Sequence, residues 1–320
     1  MRIKMKRDLS ALVACIALYL LVMVLMETEV IGSYWQLNIV LICINIILAV
    51  SLNLITGFTG QFSIGHAGFM AVGAYMSAVF TVKLGMSFGA GILAGAGAAA
   101  ILGFAIGLPT LRLQGDYLAI ATLGLGEIIR ITILNIPYVG GASGLMGIPR
   151  YTNFTWAFFA MIITVFFIKN FINSSHGRAC ISIRENEIAA EAMGVDTTKY
   201  KVIAFTIGAA FAGVAGGLFS HYFYIAHPAS FTFMKSFDIL TMVVLGGLGS
   251  ISGSITAAIL LTFISAALAS YPEWRMVIYS LMLIILMIYR PQGLFGNKEI
   301  GLKIFSRILG GGQHGAAQNK

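Results

Sequence analysis

The chain has 320 residues, of which 58% are hydrophobic and only 10% charged, and its mean hydropathy is +0.91. Soluble domains carry about 25% charged residues, so soluble enzymes, nucleic-acid binders, secreted scaffolds and disordered chains are excluded in favour of the membrane class. The formal charge of +8 is not a nucleic-acid footprint: Arg2, Lys4, Lys6 and Arg7 crowd the start and five more basic residues lie from Arg290 onward, the pattern of flanks held against a membrane.

A spanning helix needs about 20 mostly apolar residues. In chain order the candidates are 9–26, 36–56, 62–82, 87–108, 117–136, 154–172, 200–225, 238–250, 252–270 and 275–289. The first follows a basic start like that of a signal peptide. Glu27-Thr28-Glu29 stands where a small-residue cleavage site belongs, so it reads as a retained span. The eighth is too short to cross alone and is broken by Gly246, Gly247 and Gly249, so it reads as a broken or re-entrant crossing. With the N-terminus in the cytoplasm, the inside collects the basic N-terminus, Arg112, Lys169, Arg178, Arg184, Lys199, Lys201 and the basic tail, as the positive-inside rule asks. Ten crossings return the C-terminus to the cytoplasm; nine would strand Lys298, Lys303 and Arg307 outside.

The expected fold is therefore all-α: a polytopic bundle of about ten transmembrane segments with Gly-broken or re-entrant helices. It forms one domain over 1–296, with a cytoplasmic loop at 173–200 and a mobile cytoplasmic tail at 297–320. Gly91/Gly95, Gly103/Gly107 and Gly213/Gly217 are small-xxx-small pairs, which let helices approach closely in lipid. Cys15, Cys43 and Cys180 form no framework or ligand spacing, and the five His are scattered, so no metal site is expected.

Four features stand out. Gly57–Gly68 joins the second and third spans and holds Gly60, Gln61, Ser63, Gly65 and His66. Non-helical backbone at membrane depth must be buried in protein or line water, so these residues are candidate pathway lining; the competing reading is a tight cytoplasmic turn, with His66 a packing residue. Leu245–Gly253, with Gly246, Gly247 and Gly249, has the same character in the second half. Paired Gly-broken segments suit an internal duplication with the path at the repeat interface. Neither stretch reads as a phosphate-binding loop. Glu127 and Arg130, three apart in the fifth span, form a candidate buried ion pair, either a gating contact or a neutralised structural pair. Asp116 suits a helix N-terminus.

The fourth feature is the polar loop. Ser182 with Glu185 reads as a capping box, giving a short helix from about Ile183 to Met193 that stops at Gly194. Ile188, Ala192 and Met193 group on it as an apolar patch suited to a groove on a partner. Four of the 12 acidic residues, Glu185, Glu187, Glu191 and Asp196, fall in this loop.

At this point the residues resemble a known family, the membrane subunits of branched-chain amino acid ABC importers, especially the LivM type. Ser51–Ala78 and Gly115–Ile131 look like its signatures, Gly177–Asp196 like its ATPase-coupling segment, and Val243–Gly253 and Arg290–Gly296 complete the order over about 35–296. Glu191-Ala192 and Gly194 stand in the places of the permease EAA…G motif. The resemblance implies a non-catalytic permease in a bacterial or archaeal cytoplasmic membrane. Its implied partners are a second, LivH-like permease, two cytoplasmic ATPases that hold ATP and Mg, and an extracytoplasmic solute-binding protein, with no nucleic acid. It implies a coupling segment of Arg184, Glu185, Ala189, Ala190, Glu191 and Gly194. It does not make Glu127, Arg130 or His66 substrate ligands. The alternative is an ion- or proton-coupled secondary transporter, motivated by the broken helices and the Glu127/Arg130 pair. A membrane enzyme would need clustered titratable groups at one face, and His66, His221, His227 and Asp238 are too dispersed.

Overall fold

The computed structural model describes residues 2–28, 32–111, 113, 115–269, 271, 277–278, 280–281, 284, 288–289 and 293. Within them the apolar runs become helices, as a solvent without hydrogen-bonding partners demands of a backbone: α1 (Arg2–Glu27), α2 (Ser33–Asn53), α3 (His66–Val82), α4 (Phe88–Thr110), α5 (Asp116–Leu134) and α6 (Phe154–Asn173). The polar loop carries α7 (Ser175–Glu185) and α8 (Glu187–Ala192); α9 (Thr197–Phe223), α10 (Phe233–Gly246) and α11 (Ile251–Ala267) follow. Polar side chains start several of them: Asn153, Ser174, Asn186, Asp196 and Ser250 each accept an amide from the first turn of the helix they precede, the standard N-cap device.

Among the described residues, six helices are long and apolar enough to cross a membrane: Ser33–Phe58, Phe88–Thr110, Asp116–Leu134, Phe154–Asn173, Thr197–Phe223 and Pro228–Gly246. Cys15–Glu27, His66–Val82 and Ile251–Ala267 are shorter apolar helices. Nine of the ten expected segments thus have a helix. Most of the tenth, 275–289, lies outside the described residues, as do Arg112 and the tail 297–320. Among the described residues one strand pair stands between the helices: β1 (Leu145–Met146) pairs antiparallel with β2 (Ile225–Ala226), and Tyr75 Oη donates to the Ala226 carbonyl at 2.7 Å.

The core is set by small residues. α3, α4 and α9 pack on one another most extensively. A methyl on Gly73 would lie 2.1 Å from the Gly213 carbonyl oxygen, and one on Gly216 would lie 1.9 Å from that of Met70. Close backbone approach supplies the dispersion contacts that hydrophobicity cannot supply in lipid.

Two helices begin inside the bundle rather than at its end. The last turn of α2 widens into a π-helical turn over Leu54–Phe58, residues 59–65 leave helical geometry, and α3 begins only at His66. His66 Nε2 bonds Ser51 Oγ at 2.8 Å, and Ser51 is seven residues, about 10 Å, before the end of that continuous helix. α10 begins where Phe233 N donates to Glu127 Oε1 at 3.0 Å; Glu127 lies eleven residues, about 17 Å, into α5. In the break before α3, buried Gln61 and Ser63 alternate with exposed Gly60 and Phe62.

Candidate functional site

The polar loop is built differently from its sequence pattern. Ser182 does not cap a helix; its hydroxyl donates to the Ala179 carbonyl at 2.8 Å. The first helix starts earlier, capped by Ser174, and the chain kinks at Asn186, whose side chain accepts Ala189 N at 3.0 Å to start α8. The apparent Ser-x-x-Glu box loses because α7 already runs through it. Gly194 does end α8, at φ +83, a conformation that suits glycine.

α8 has two faces. Toward the bundle, Ala190 is buried, the Glu187 carboxylate pairs with Lys201 of α9, and Glu191 Oε1 accepts from Thr197 Oγ1 at 2.7 Å. Asp196 Oδ1 caps α9 between these contacts. Away from the bundle, Ile188 is 81% and Met193 85% exposed, with Ala189 and Ala192 beside them. A short helix clamped on one side and apolar on the other is a rigid, unpartnered surface.

α7 reaches the glycine breaks. Arg184 binds Glu185 through Nε at 3.1 Å and donates from Nη1 to the Gly57 carbonyl at 3.0 Å. Gly60, at φ +75, lies under the Arg184 backbone, and a methyl on Gly249 would lie 2.6 Å from Arg184 Nη1. The two breaks are also joined directly. Asn53 Oδ1 accepts Gly249 N, and its Nδ2 donates to the Ser250 carbonyl and to Ser254 Oγ, all at 2.9 Å. A methyl on Gly246 would lie 2.5 Å from the Gly253 carbonyl carbon, and one on Gly293 would lie 2.4 Å from Gly247 Cα. The structure thus brings Gly57, Gly60, Gly247, Gly249 and Arg184 to one junction. Gly65 sits apart, against Thr122 of α5. The side chains of the first break are buried and poorly satisfied: Thr56 Oγ1, both amide atoms of Gln61, Ser63 Oγ and His66 Nδ1 have no partner.

Glu127 and Arg130 do pair, at 2.7 Å, though half-buried rather than fully so. With Phe233 N on its second oxygen, the carboxylate is a cap for α10. Asp116 stands in the first turn of α5 behind Gly115, which makes no side-chain cap. His221 is a satisfied core histidine, bonding Thr81 Oγ1 at 2.9 Å and the Gly217 carbonyl at 2.8 Å. Among the described residues no group of His, Cys, Asp and Glu could hold a metal.

Sequence reasoning missed two contacts. Asn53, read only as part of an apolar run, is the bolt between the breaks. Lys235 of α10 reaches Asn45 Oδ1 at 3.2 Å, and Asn45 in turn donates to Thr262 Oγ1 at 2.9 Å. Two isolated amides within an apolar helix were the available signal, since polar groups there seek partners.

A family model described as branched-chain amino acid transport system / permease component matches residues 37–287. The chain belongs to this permease family. Among relatives, the high-affinity branched-chain amino acid transport system permease protein LivM of Salmonella typhimurium is 36% identical over 298 residues, covering 82% of this chain and 70% of its own. LivM of Escherichia coli is 36% identical over 296 residues with the same coverage. The LivH permease of Escherichia coli is 32% identical over 145 residues, 45% of this chain and 46% of its own. No solved structure matches. The permease is an integral membrane protein, and its apolar helices and family membership agree on this.

Proposed function

We propose that this chain is a non-catalytic membrane subunit of an ABC importer for branched-chain or related amino acids. Its partners would be a second, LivH-like permease, two cytoplasmic ATPases carrying ATP and Mg, and an extracytoplasmic binding protein that delivers substrate. In this reading about ten segments cross a bacterial or archaeal cytoplasmic membrane, both termini are cytoplasmic, 1–296 is one permease domain, and the two Gly-broken segments mark a duplicated architecture. Gly60, Gln61, Ser63, Gly65, His66, Gly246, Gly247 and Gly249 line the path. The tail 297–320 lies in the cytoplasm.

One observation carries the reading: α8 is fastened to α9 on one side and offers Ile188 and Met193 to solvent on the other. An ATPase groove that seats these residues moves α8, and the Glu187–Lys201 and Glu191–Thr197 contacts pass the motion to α9. Through α7 and Arg184 the same motion reaches the junction of the two breaks, where small hinge-like shifts alter access. The test is radiolabelled leucine uptake in cells carrying the complete system. Ile188→Asp with Met193→Asp is expected to abolish uptake and ATPase co-purification while leaving the chain in the membrane at normal level. Retained uptake in that double variant would overturn the reading.

A further inference from the structure

A cavity of about 380 Å³ lies between the break after α2, the start of α5 and the α7–α8 kink. Its size falls within the roughly 300–1,000 Å³ of small-molecule sites. One wall is charged, with Arg184, Glu185, Glu187 and Lys201. The other is apolar, with Phe62, Leu113, Leu118 and Ile188. The charged wall sums to zero, and its members already hold one another: Lys201 with Glu187, and Arg184 with Glu185. Two cations and two anions side by side complement a neutral molecule that bears both charges better than one with net charge.

Gln61 decides the matter. It lines the cavity, is 3% exposed, and has a hydrogen-bond partner for neither Oε1 nor Nε2. A side-chain amide offers an acceptor at one end and donors at the other, and a buried polar group without a partner is the expensive arrangement. The cavity therefore asks for a small ligand with a donor, an acceptor and an aliphatic part.

We propose that this cavity binds a free branched-chain α-amino acid as its zwitterion, with Gln61 between the ammonium and carboxylate groups and the aliphatic chain against Phe62 and Leu118. This rests on the permease reading above, which supplies the ligand class and places the cavity on the cytoplasmic side, where imported amino acid accumulates. Glu187 and Lys201 both line the cavity and clamp α8 to α9. A bound carboxylate draws Lys201 and a bound ammonium draws Glu187, so occupancy loosens the clamp and slows ATP-driven uptake. Product thereby restrains its own import.

Two measurements test this. The first is binding of tritiated L-leucine to the purified full chain in lipid nanodiscs. Saturable binding is expected, weakened at least about tenfold in Gln61→Met, whose folding is checked by thermal melting. Isocaproate, which lacks the ammonium, and isoamylamine, which lacks the carboxylate, are expected not to compete. The second is the ratio of initial uptake rates with and without L-leucine inside proteoliposomes holding the complete transporter. Internal leucine is expected to lower the wild-type rate severalfold and to lose that effect in Gln61→Met. Absence of leucine binding, binding unchanged by Gln61→Met, or equal competition by isocaproate overturns the proposal. So does weakened ATPase capture by Gln61→Met without leucine binding, which would make the cavity a seat for a partner side chain. If wild-type vesicles import no leucine the permease reading fails, and the binding measurement still decides this site; if they import leucine and the chain binds none, only this inference fails.

Discussion

Arg184 and Gly57 are joined by a 3.0 Å hydrogen bond from the guanidinium Nη1 to the backbone carbonyl, across 127 residues of sequence. It ties the polar loop to the first glycine break, beside the second. The carbonyl belongs to a π-helical turn, where a backbone oxygen is freed from the regular ladder and needs an outside donor. Arg184→Ala removes that donor and the Glu185 partner together. Because the side chain is partly exposed, the expected loss of stability is modest, about 1 kcal/mol. The expected loss of uptake is larger, at least severalfold, with ATPase co-purification retained, because α8 and its docking face are untouched. Arg184→Lys offers one point donor in place of a fork and should recover only part. Uptake equal to wild type in Arg184→Ala would remove this contact from the coupling route.

Gly57 also bears on the junction through its missing side chain. A methyl there would lie 1.8 Å from Asn53 Oδ1 and 2.3 Å from Gly249 N. The amide nitrogen is backbone and cannot swing away, and the Asn53 oxygen is the acceptor of that nitrogen. Gly57→Ala is therefore expected to separate the two breaks and to destabilise the chain by about 1–3 kcal/mol, the usual cost of overpacking. Gly124→Ala is the control, since its methyl would meet nothing within 4 Å. Thermal unfolding of the purified chain in detergent distinguishes the two; equal melting temperatures would refute the steric account.

The helices were legible because apolar runs of fixed length have one solution in lipid. The glycine breaks were legible because Gly57–Gly68 and Gly246–Gly253 interrupt those runs. That the breaks meet was not legible, because it depends on Asn53 and Gly249, 196 residues apart, and no local pattern encodes such a pairing. The loop misled for a related reason. Ser182 and Glu185 have capping-box spacing, but Ser174 caps first and leaves Ser182 in the third turn of a helix already under way.

Glu127 separates the permease reading from ion-driven transport. Its two oxygens are engaged by Arg130 Nε and by Phe233 N, so the carboxylate closes an ion pair and a helix start. Glu127→Gln keeps the acceptor for Phe233 and loses the ion pair, at an expected cost of about 0–1 kcal/mol for a partly exposed pair. Glu127→Leu strips both contacts and should cost about 1–3 kcal/mol. Uptake by the complete system is expected to survive Glu127→Gln within about twofold and to persist with a protonophore when ATP is maintained, since a coupling fall of tenfold would need about 1.4 kcal/mol of lost driving interaction. Loss of uptake in Glu127→Gln together with collapse by the protonophore would favour a secondary transporter.

Cys180 gives the polar loop a pH signature. Its thiol is 1% exposed, on the face of α7 turned to the bundle, and burial raises it from 9.0 to about 11, with hydrogen bonding by Thr59 pulling slightly the other way. In the unfolded chain the thiol ionises near pH 9, and in the folded chain it stays protonated to about pH 11. Between those values the unfolded state binds fewer protons, so stability is complete below pH 9 and falls as pH rises toward 11. Two units correspond to roughly 2–3 kcal/mol. Denaturation at pH 8 and pH 10.5 should therefore show a steeper loss for wild type than for Cys180→Ala, in which the ionising group is gone while Cys15 and Cys43 remain as common background. The thiolate is the reactive form, so maleimide labelling of Cys180 in the folded chain at pH 8 should be slow and should accelerate on unfolding. Identical pH slopes in the two proteins, or prompt labelling of the native loop, would show that α7 does not hold this face against the bundle.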